Sequence, residues 1–218
     1  NIILDKEKQT VYLKLKGMKI GFGAIGKGYA ADKAKALLIK NGVKAGIINA
    51  SGDLNTWGTQ PNGKDWMVAI VNPLNKSKVF SWFPVKNSAV VTSGNYEKYV
   101  RFNNKLYTHI IDPRTGYPST GIISASIFTK NAELADALAT SIFVMGTEVG
   151  LDFINQLKLG VERGKSTVSV DYSKMKRELA RVLREAGFVA SYDDKELSIY
   201  LQEKGSWLIT KMTDFLRD

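Results

Sequence analysis

Cysteine is absent from the 218 residues, and histidine occurs once, at His109. The first absence excludes disulfides, a thiolate nucleophile and cysteine-ligated zinc or iron–sulfur centres. The second excludes any site built from several imidazoles. A metal ion bound by this chain is therefore held mainly by oxygen, which points to Mg²⁺ or Ca²⁺. Long apolar runs are missing too: none approaches the ~20 residues that a membrane-spanning helix needs. The opening Asn1-Ile-Ile-Leu-Asp5 is too short, and too polar afterwards, to read as a signal peptide. A lack of thiols suits an exported protein, yet many cytosolic chains lack them as well, so composition leaves the compartment open.

What is present is an ordinary globular composition, 44% hydrophobic, enough for one large domain or two small ones. The net charge of +10 is unevenly placed. Residues 1–160 hold 20 basic and 11 acidic side chains, and residues 161–218 hold 11 and 10. A basic surface favours polyanions, either nucleic acid or a phosphorylated small ligand, and surface lysines that only confer solubility would look the same.

The pattern predicts a strand over Thr10–Leu15, then a glycine-rich stretch from Gly21 to Gly28 leading into a helix over Lys33–Ile39 that Gly42 stops. Further strands are expected at Ala45–Ala50, ending in the turn Ser51-Gly-Asp53, and at Trp66–Val71, Lys78–Phe83, Ser88–Ser93 and Ile122–Phe128. A helix follows around Asp136. Helices among mostly antiparallel strands in this order give an α+β fold, a mixed, mostly antiparallel sheet with flanking helices. The division expected is a main domain over 1–160 and a small α/β segment over 161–218.

Three patterns carry chemistry. In Glu133-Leu-Ala-Asp-Ala-Leu-Ala-Thr140, Asp136 and Thr140 stand at i and i+4 and so share a helix face, two hard oxygen donors among alanines small enough to admit a ligand. In Thr108-His-Ile-Ile-Asp-Pro-Arg-Thr-Gly116, the single histidine precedes Asp112 on a strand end that Pro113 and Gly116 turn sharply. In the third, Gly21, Gly23, Gly26 and Gly28 accompany Lys27 before a helix, where free N–H groups and the helix dipole favour phosphate. That spacing matches neither the dinucleotide fingerprint nor the Walker loop. Taken singly, the glycines also read as a flexible turn, the Asp136/Thr140 pair as an ordinary helix face, and His109 as a structural histidine.

Their joint order narrows the choice. Gly23-Ala-Ile-Gly-Lys-Gly-Tyr-Ala-Ala-Asp32, Asn49-Ala-Ser-Gly-Asp53, Thr92-Ser-Gly-Asn-Tyr96, His109-Ile-Ile-Asp-Pro-Arg-Thr-Gly116 and Asp136-Ala-Leu-Ala-Thr140 resemble the successive motifs of the ApbE family, the FAD:protein FMN transferases, over about residues 10–158. The resemblance implies a bacterial extracytoplasmic enzyme that binds FAD and Mg²⁺ and transfers FMN to a Thr or Ser hydroxyl of a partner flavoprotein, releasing AMP. Some members hydrolyse FAD instead, and a non-catalytic FAD-binding module is a further alternative. It also implies that Asp136 and Thr140 are side-chain metal ligands, joined by the backbone carbonyls of Ala139 and Ala24. Lys27 and Gly28 would lie near the pyrophosphate, and Asn49, Asp53, Ser93 and His109 would line the nucleotide cleft. His109 and Asp112 are the candidates to take the acceptor's proton. Two positions depart from the family pattern: Gly21 stands where an aspartate is usual, and Ser51 where a glycine is usual. Family members also carry a further N-terminal region, so the flavin pocket is expected to be incomplete here.

Beyond Gly160 the resemblance changes. Met175, Leu179, Val182, Leu183 and Ala186 form an apolar stripe at helical spacing after Ser173 and before Gly187, and Glu196–Leu201 reads as a strand. This segment resembles the N-terminal half of ribosomal protein S eight, which implies an RNA partner, although its near-neutral charge suits that role poorly. A small α/β appendage is the plainer alternative.

Overall fold

The computed structural model describes residues 1–96 and 98–162, together with three short strands at 167–169, 189–192 and 198–201. Its centre is a four-stranded antiparallel sheet in the order β10-β7-β4-β3, built from β3 (Gly46–Ala50), β4 (Asp53–Trp57), β7 (Ala89–Gly94) and β10 (Ser124–Thr129). Two helices cover one face, α1 (Gly26–Lys40) over β3 and β4, and α2 (Ala132–Met145) over β7 and β10. A third, α3 (Thr147–Glu162), packs on α2. The α+β expectation holds.

Side-chain alternation explains the layering. In β7 and β10, Val91 and Ile127 are paired and face the helices, joining Leu134, Ala135, Leu138, Ala139, Phe153 and Ile154 in one buried cluster. Their neighbours Val90 and Phe128, also paired, turn to the opposite face. There they meet Val68, Ile70 and Val85 of the hairpin β5 (Trp66–Val71) and β6 (Val79–Val85). Phe83 and Phe128 pack edge to face, ring centroids 5.2 Å apart. Two further hairpins, β1 (Ile2–Asp5) with β2 (Thr10–Leu13) and β8 (Tyr99–Phe102) with β9 (Lys105–Thr108), are separate two-stranded ribbons.

Several elements differ from expectation. Helix α1 begins at Gly26, well before Lys33, so part of the glycine-rich stretch is helical. Glycine disfavours a helix by about 1 kcal/mol relative to alanine, and here close packing requires it. A Cβ on Gly28 would lie 2.2 Å from the Ala132 carbonyl oxygen. At the other end Gly42 terminates the helix as expected, at φ +85°. The β3–β4 connection is a two-residue turn with Ser51 at φ +53° and Gly52 at φ +98°, the left-handed pair that a tight hairpin needs. Ser51 bears that conformation although it is not a glycine.

Strand β4 escaped the sequence reading because Asp53, Asn55 and Thr56 are buried polar residues and not an apolar alternation. Helix α3 was not foreseen either. The expected helix over 174–186 lies outside the described residues. The expected strand at Glu196–Leu201 appears as β13 (Ser198–Leu201), between β11 (Thr167–Ser169) and β12 (Val189–Tyr192) in a separate sheet. Among the described residues no helix is long and apolar enough to cross a membrane.

Candidate active site

The start of α1, the head of β4 and the middle of α2 converge on two buried carboxylates. Asp53 is 1% exposed and Asp136 2% exposed. Lys27, in the first turn of α1, reaches between them: its Nζ lies 2.6 Å from Asp53 Oδ1 and 4.0 Å from Asp136 Oδ1. The Gly28 N–H donates to Asp136 Oδ2 at 3.1 Å. That amide is the third of its helix, which has no partner within the helix itself, so the carboxylate takes the place an anion would occupy at a helix N-terminus. Asp53 Oδ2 is buried without a hydrogen bond.

The carboxyl of Asp53 is pushed up to about 7. Burial is the main cause, the hydrogen bond from Lys27 opposes it, and the nearby charge of Asp136 adds to it. Two buried carboxylates facing one lysine leave negative charge uncompensated, and near neutral pH a proton supplies part of the balance. A divalent cation would do so better. One turn along α2, the Thr140 hydroxyl lies 3.2 Å from the Ser93 hydroxyl at the end of β7, adding hard oxygens to the same helix face.

The other expected site residues are distributed around this cluster. Asn49 accepts a hydrogen bond from the Gly52 N–H at 2.8 Å and so braces the β3–β4 turn that delivers Asp53. Ala139 is fully buried on α2. Ala24 is exposed in the turn preceding α1. His109 is exposed just after β9, with Nδ1 3.0 Å from the Lys98 carbonyl oxygen. Asp112 is gripped by Arg114 through contacts of 2.7, 2.9 and 3.1 Å. Those hydrogen bonds hold its carboxyl below the ordinary range, which makes it a poor proton acceptor. Arg114 also donates to the Val144 carbonyl at 2.9 Å, pinning the loop to the last turn of α2. Among the described residues no hydrogen bond joins His109 or Asp112 to the Lys27 cluster.

Three residues in the same region were given no role by sequence reasoning: Asp32, Lys35 and Asn55. Asp32 accepts from the Ala132 and Glu133 amides at 3.0 and 2.9 Å and from the Asn55 side-chain amide. Lys35 donates to Asn55 Oδ1 at 2.8 Å and to the Thr56 carbonyl at 2.9 Å. Burial pushes the Lys35 ammonium down, against the charge of Asp32. The available signal was the polar run Asp53-Leu-Asn-Thr56, which a buried strand carries only when partners satisfy it.

The model of the ApbE family matches residues 1–163. The chain belongs to the ApbE family. The FAD:protein FMN transferase of Klebsiella pneumoniae (strain 342) is 31% identical over 157 residues, which is 71% of this chain and 48% of that protein. Its counterpart in Rhodobacter capsulatus is 36% identical over 139 residues, 64% of this chain and 26% of that one. Among solved structures, the ApbE protein of Thermotoga maritima aligns at a TM-score of 0.65 with 30% identity, over 82% of this chain and 59% of that one. The apo flavinyl transferase ApbE of Pseudomonas stutzeri aligns at 0.58 with 25% identity, over 79% and 51%. The chain thus spans about half the length, or less, of the curated relatives named here.

The buried pair also bears on the metal that the family resemblance implies. Among the described residues there is no group of three or more acidic or histidine side chains able to hold a cation alone. The donors present are instead one or two carboxylates, a hydroxyl and backbone carbonyls. That set fits Mg²⁺, which usually takes a few protein oxygens and completes its shell with water and substrate phosphate. Asp53 Oδ2, buried beside Asp136, agrees with either a cation or a proton shared between the two carboxyls.

Proposed function

We propose that this chain carries the pyrophosphate-binding and metal-binding part of an FAD:protein FMN transferase. The observation that carries the reading is the pair of buried carboxylates, Asp53 and Asp136, bridged by Lys27 where α1 opens on its glycines. Family membership supplies the substrate class.

Asp136 and Thr140 would hold Mg²⁺, with the Ala139 and Ala24 carbonyls, and the bound ion would neutralise charge on the phosphoryl oxygens. Lys27, in the first turn of α1, binds the pyrophosphate and stabilises charge that grows on it during displacement. Ser93 orients the Thr140 hydroxyl. Asn49 and Asp53 hold the β3–β4 turn against the nucleotide. The acceptor's Thr or Ser oxygen attacks the phosphorus of the FMN half, and the bond from that phosphorus to the bridging oxygen breaks. AMP departs with the bridging oxygen. The hydroxyl proton passes to His109 or to solvent, since Asp112 is committed to Arg114.

We infer that the enzyme works on the extracytoplasmic face of a bacterial cell, which the family resemblance supports, and take 1–160 as the functional unit with 161–218 as a small second unit. The protein incubated with FAD, Mg²⁺ and a Thr- or Ser-bearing acceptor should release AMP and label the acceptor with FMN. Free FMN in place of labelled acceptor would mean hydrolysis. Retained FAD with no AMP would make the chain a binding module, and equal AMP release by wild type and Asp136→Ala would remove the metal assignment.

A further inference from the structure

Helix α2 begins without a cap of its own, because the Asn131 side chain makes no capping bond. The caps come from another helix. Asp32, on α1 and 100 residues away in sequence, gives one oxygen to the Ala132 amide and the other to the Glu133 amide. One turn earlier on α1, the Gly28 N–H reaches Asp136, one turn later on α2. The two contacts form rungs of an antiparallel ladder, Asp32 to Ala132 and Gly28 to Asp136, each helix advancing one turn between them. At the same crossing the missing Cβ of Gly28 lets the two backbones touch.

The Asp32 rung is itself fixed. Its oxygen takes the Asn55 amide, Asn55 takes Lys35, and Lys35 is tied to the Thr56 carbonyl. Asn55 and Thr56 are buried in β4, the strand that begins with Asp53. One polar network thereby joins β4, α1 and α2, the three elements that supply Asp53, Lys27 and Asp136. An axial slip of a single residue would displace a helical side chain by about 1.5 Å along the axis, more than a metal ligand set tolerates.

We propose that Asp32 is a positioning residue that sets the axial register of α2 against α1, and through it the placement of Asp136 and Thr140 opposite Lys27; its catalytic consequence rests on the function proposed above. Capping of α2 is the means, and register is the effect.

The Gly28 amide is a direct reporter, because its hydrogen bond goes to Asp136 and not to its own helix. Hydrogen exchange of the full chain without metal should show the Gly28 amide exchanging at least tenfold faster in Asp32→Asn than in wild type. The amides of Val91 and Ile127 should keep their protection. The double variant Asp32→Asn with Asn131→Asp places a carboxylate at the natural cap position; it should recover the melting temperature and leave Gly28 fast. Unchanged Gly28 protection in Asp32→Asn, or its recovery in the double variant, would overturn the proposal by making Asp32 a cap and nothing more. If Asp32→Asn does not fold, Asp32→Glu keeps the charge but adds a methylene, and the same acceleration is expected. Calorimetric Mg²⁺ titration in the presence of FAD should give at least tenfold weaker binding in Asp32→Asn. Failure of wild type to bind Mg²⁺ would strike the proposed function, while the metal-free exchange result would still decide the role of Asp32.

Discussion

Asp53 and Asp112 each hold a basic side chain in a short contact, Lys27 at 2.6 Å and Arg114 at 2.7 Å, yet their carboxyl groups shift in opposite directions. Asp53 rises to about 7, and Asp112 falls below its ordinary range. The difference lies in the surroundings. Asp112 sits in a surface loop and receives a forked guanidinium that outweighs its desolvation. Asp53 is sealed under α1, receives a single ammonium contact and faces Asp136. An ion pair therefore marks a brace in one place and an unfinished charge balance in the other, and only the second calls for a further cation.

That contrast can be broken most sharply by removing one carboxylate from each region. Asp136→Ala should lower AMP release from FAD by at least about 100-fold, the scale seen when a preorganised charge-stabilising group is lost. Asp112→Asn should leave the rate within a few-fold, as initial rates under saturating Mg²⁺ would show. Lys27→Met comes next, with kcat/KM reduced about 100-fold. Because it leaves the two buried carboxylates without their ammonium, Mg²⁺ should raise its melting temperature more than that of wild type.

Gly28→Ala tests the packing beneath the site. Its Cβ would meet the Ala132 backbone, and overpacking of this kind costs about 1–3 kcal/mol. Denaturant unfolding should show the loss, together with reduced AMP release, because the helices must part. The corresponding change in the other region, Arg114→Met, should alter AMP release much less.

The pH dependence is the smallest effect and separates the aspartates by sign. In the folded state without metal the Asp53 carboxyl titrates at about 7, above an unfolded value of about 4. The folded protein then holds a proton that the unfolded chain has lost, so the contribution of Asp53 to stability is greatest below about pH 4 and declines as pH rises to about 7. Asp112 does the reverse, contributing stability above its unfolded value and losing it as pH falls through its depressed one. Melting temperature against pH in EDTA should show Asp53→Asn flattening the decline between pH 4 and 7, and Asp112→Asn altering only the acid limb. A profile of the same slope between pH 4 and 7 in Asp53→Asn as in wild type would contradict the placement of Asp53.

The sequence made the Asp136 and Thr140 pair legible because helical spacing is a strong geometric rule, and strands β7 and β10 were legible as short apolar runs, though not their pairing. It concealed β4, where Asp53 and Asn55 are buried on the side facing α1 and Thr56 on the other, because a buried polar strand is stable only with partners that lie far away in the chain. It placed the start of α1 too late, because Gly26 and Gly28 argue locally against a helix, and the approach of Ala132 that requires Gly28 is distant in sequence. Asp32 stood in plain view at the end of a motif, but its role depends on α2 amides 100 and 101 residues distant. His109 was correctly set at a strand end, while the Arg114 clamp on Asp112 could not be foreseen from spacing alone.

The most direct test of the buried carboxylate pair as a cation site is Mn²⁺ binding, followed by electron paramagnetic resonance in the presence of FAD, for wild type and for Asp136→Asn. Saturable binding by wild type, weakened at least tenfold in the variant and competed by Mg²⁺, is the expected result. Equal binding by the two proteins would contradict the account.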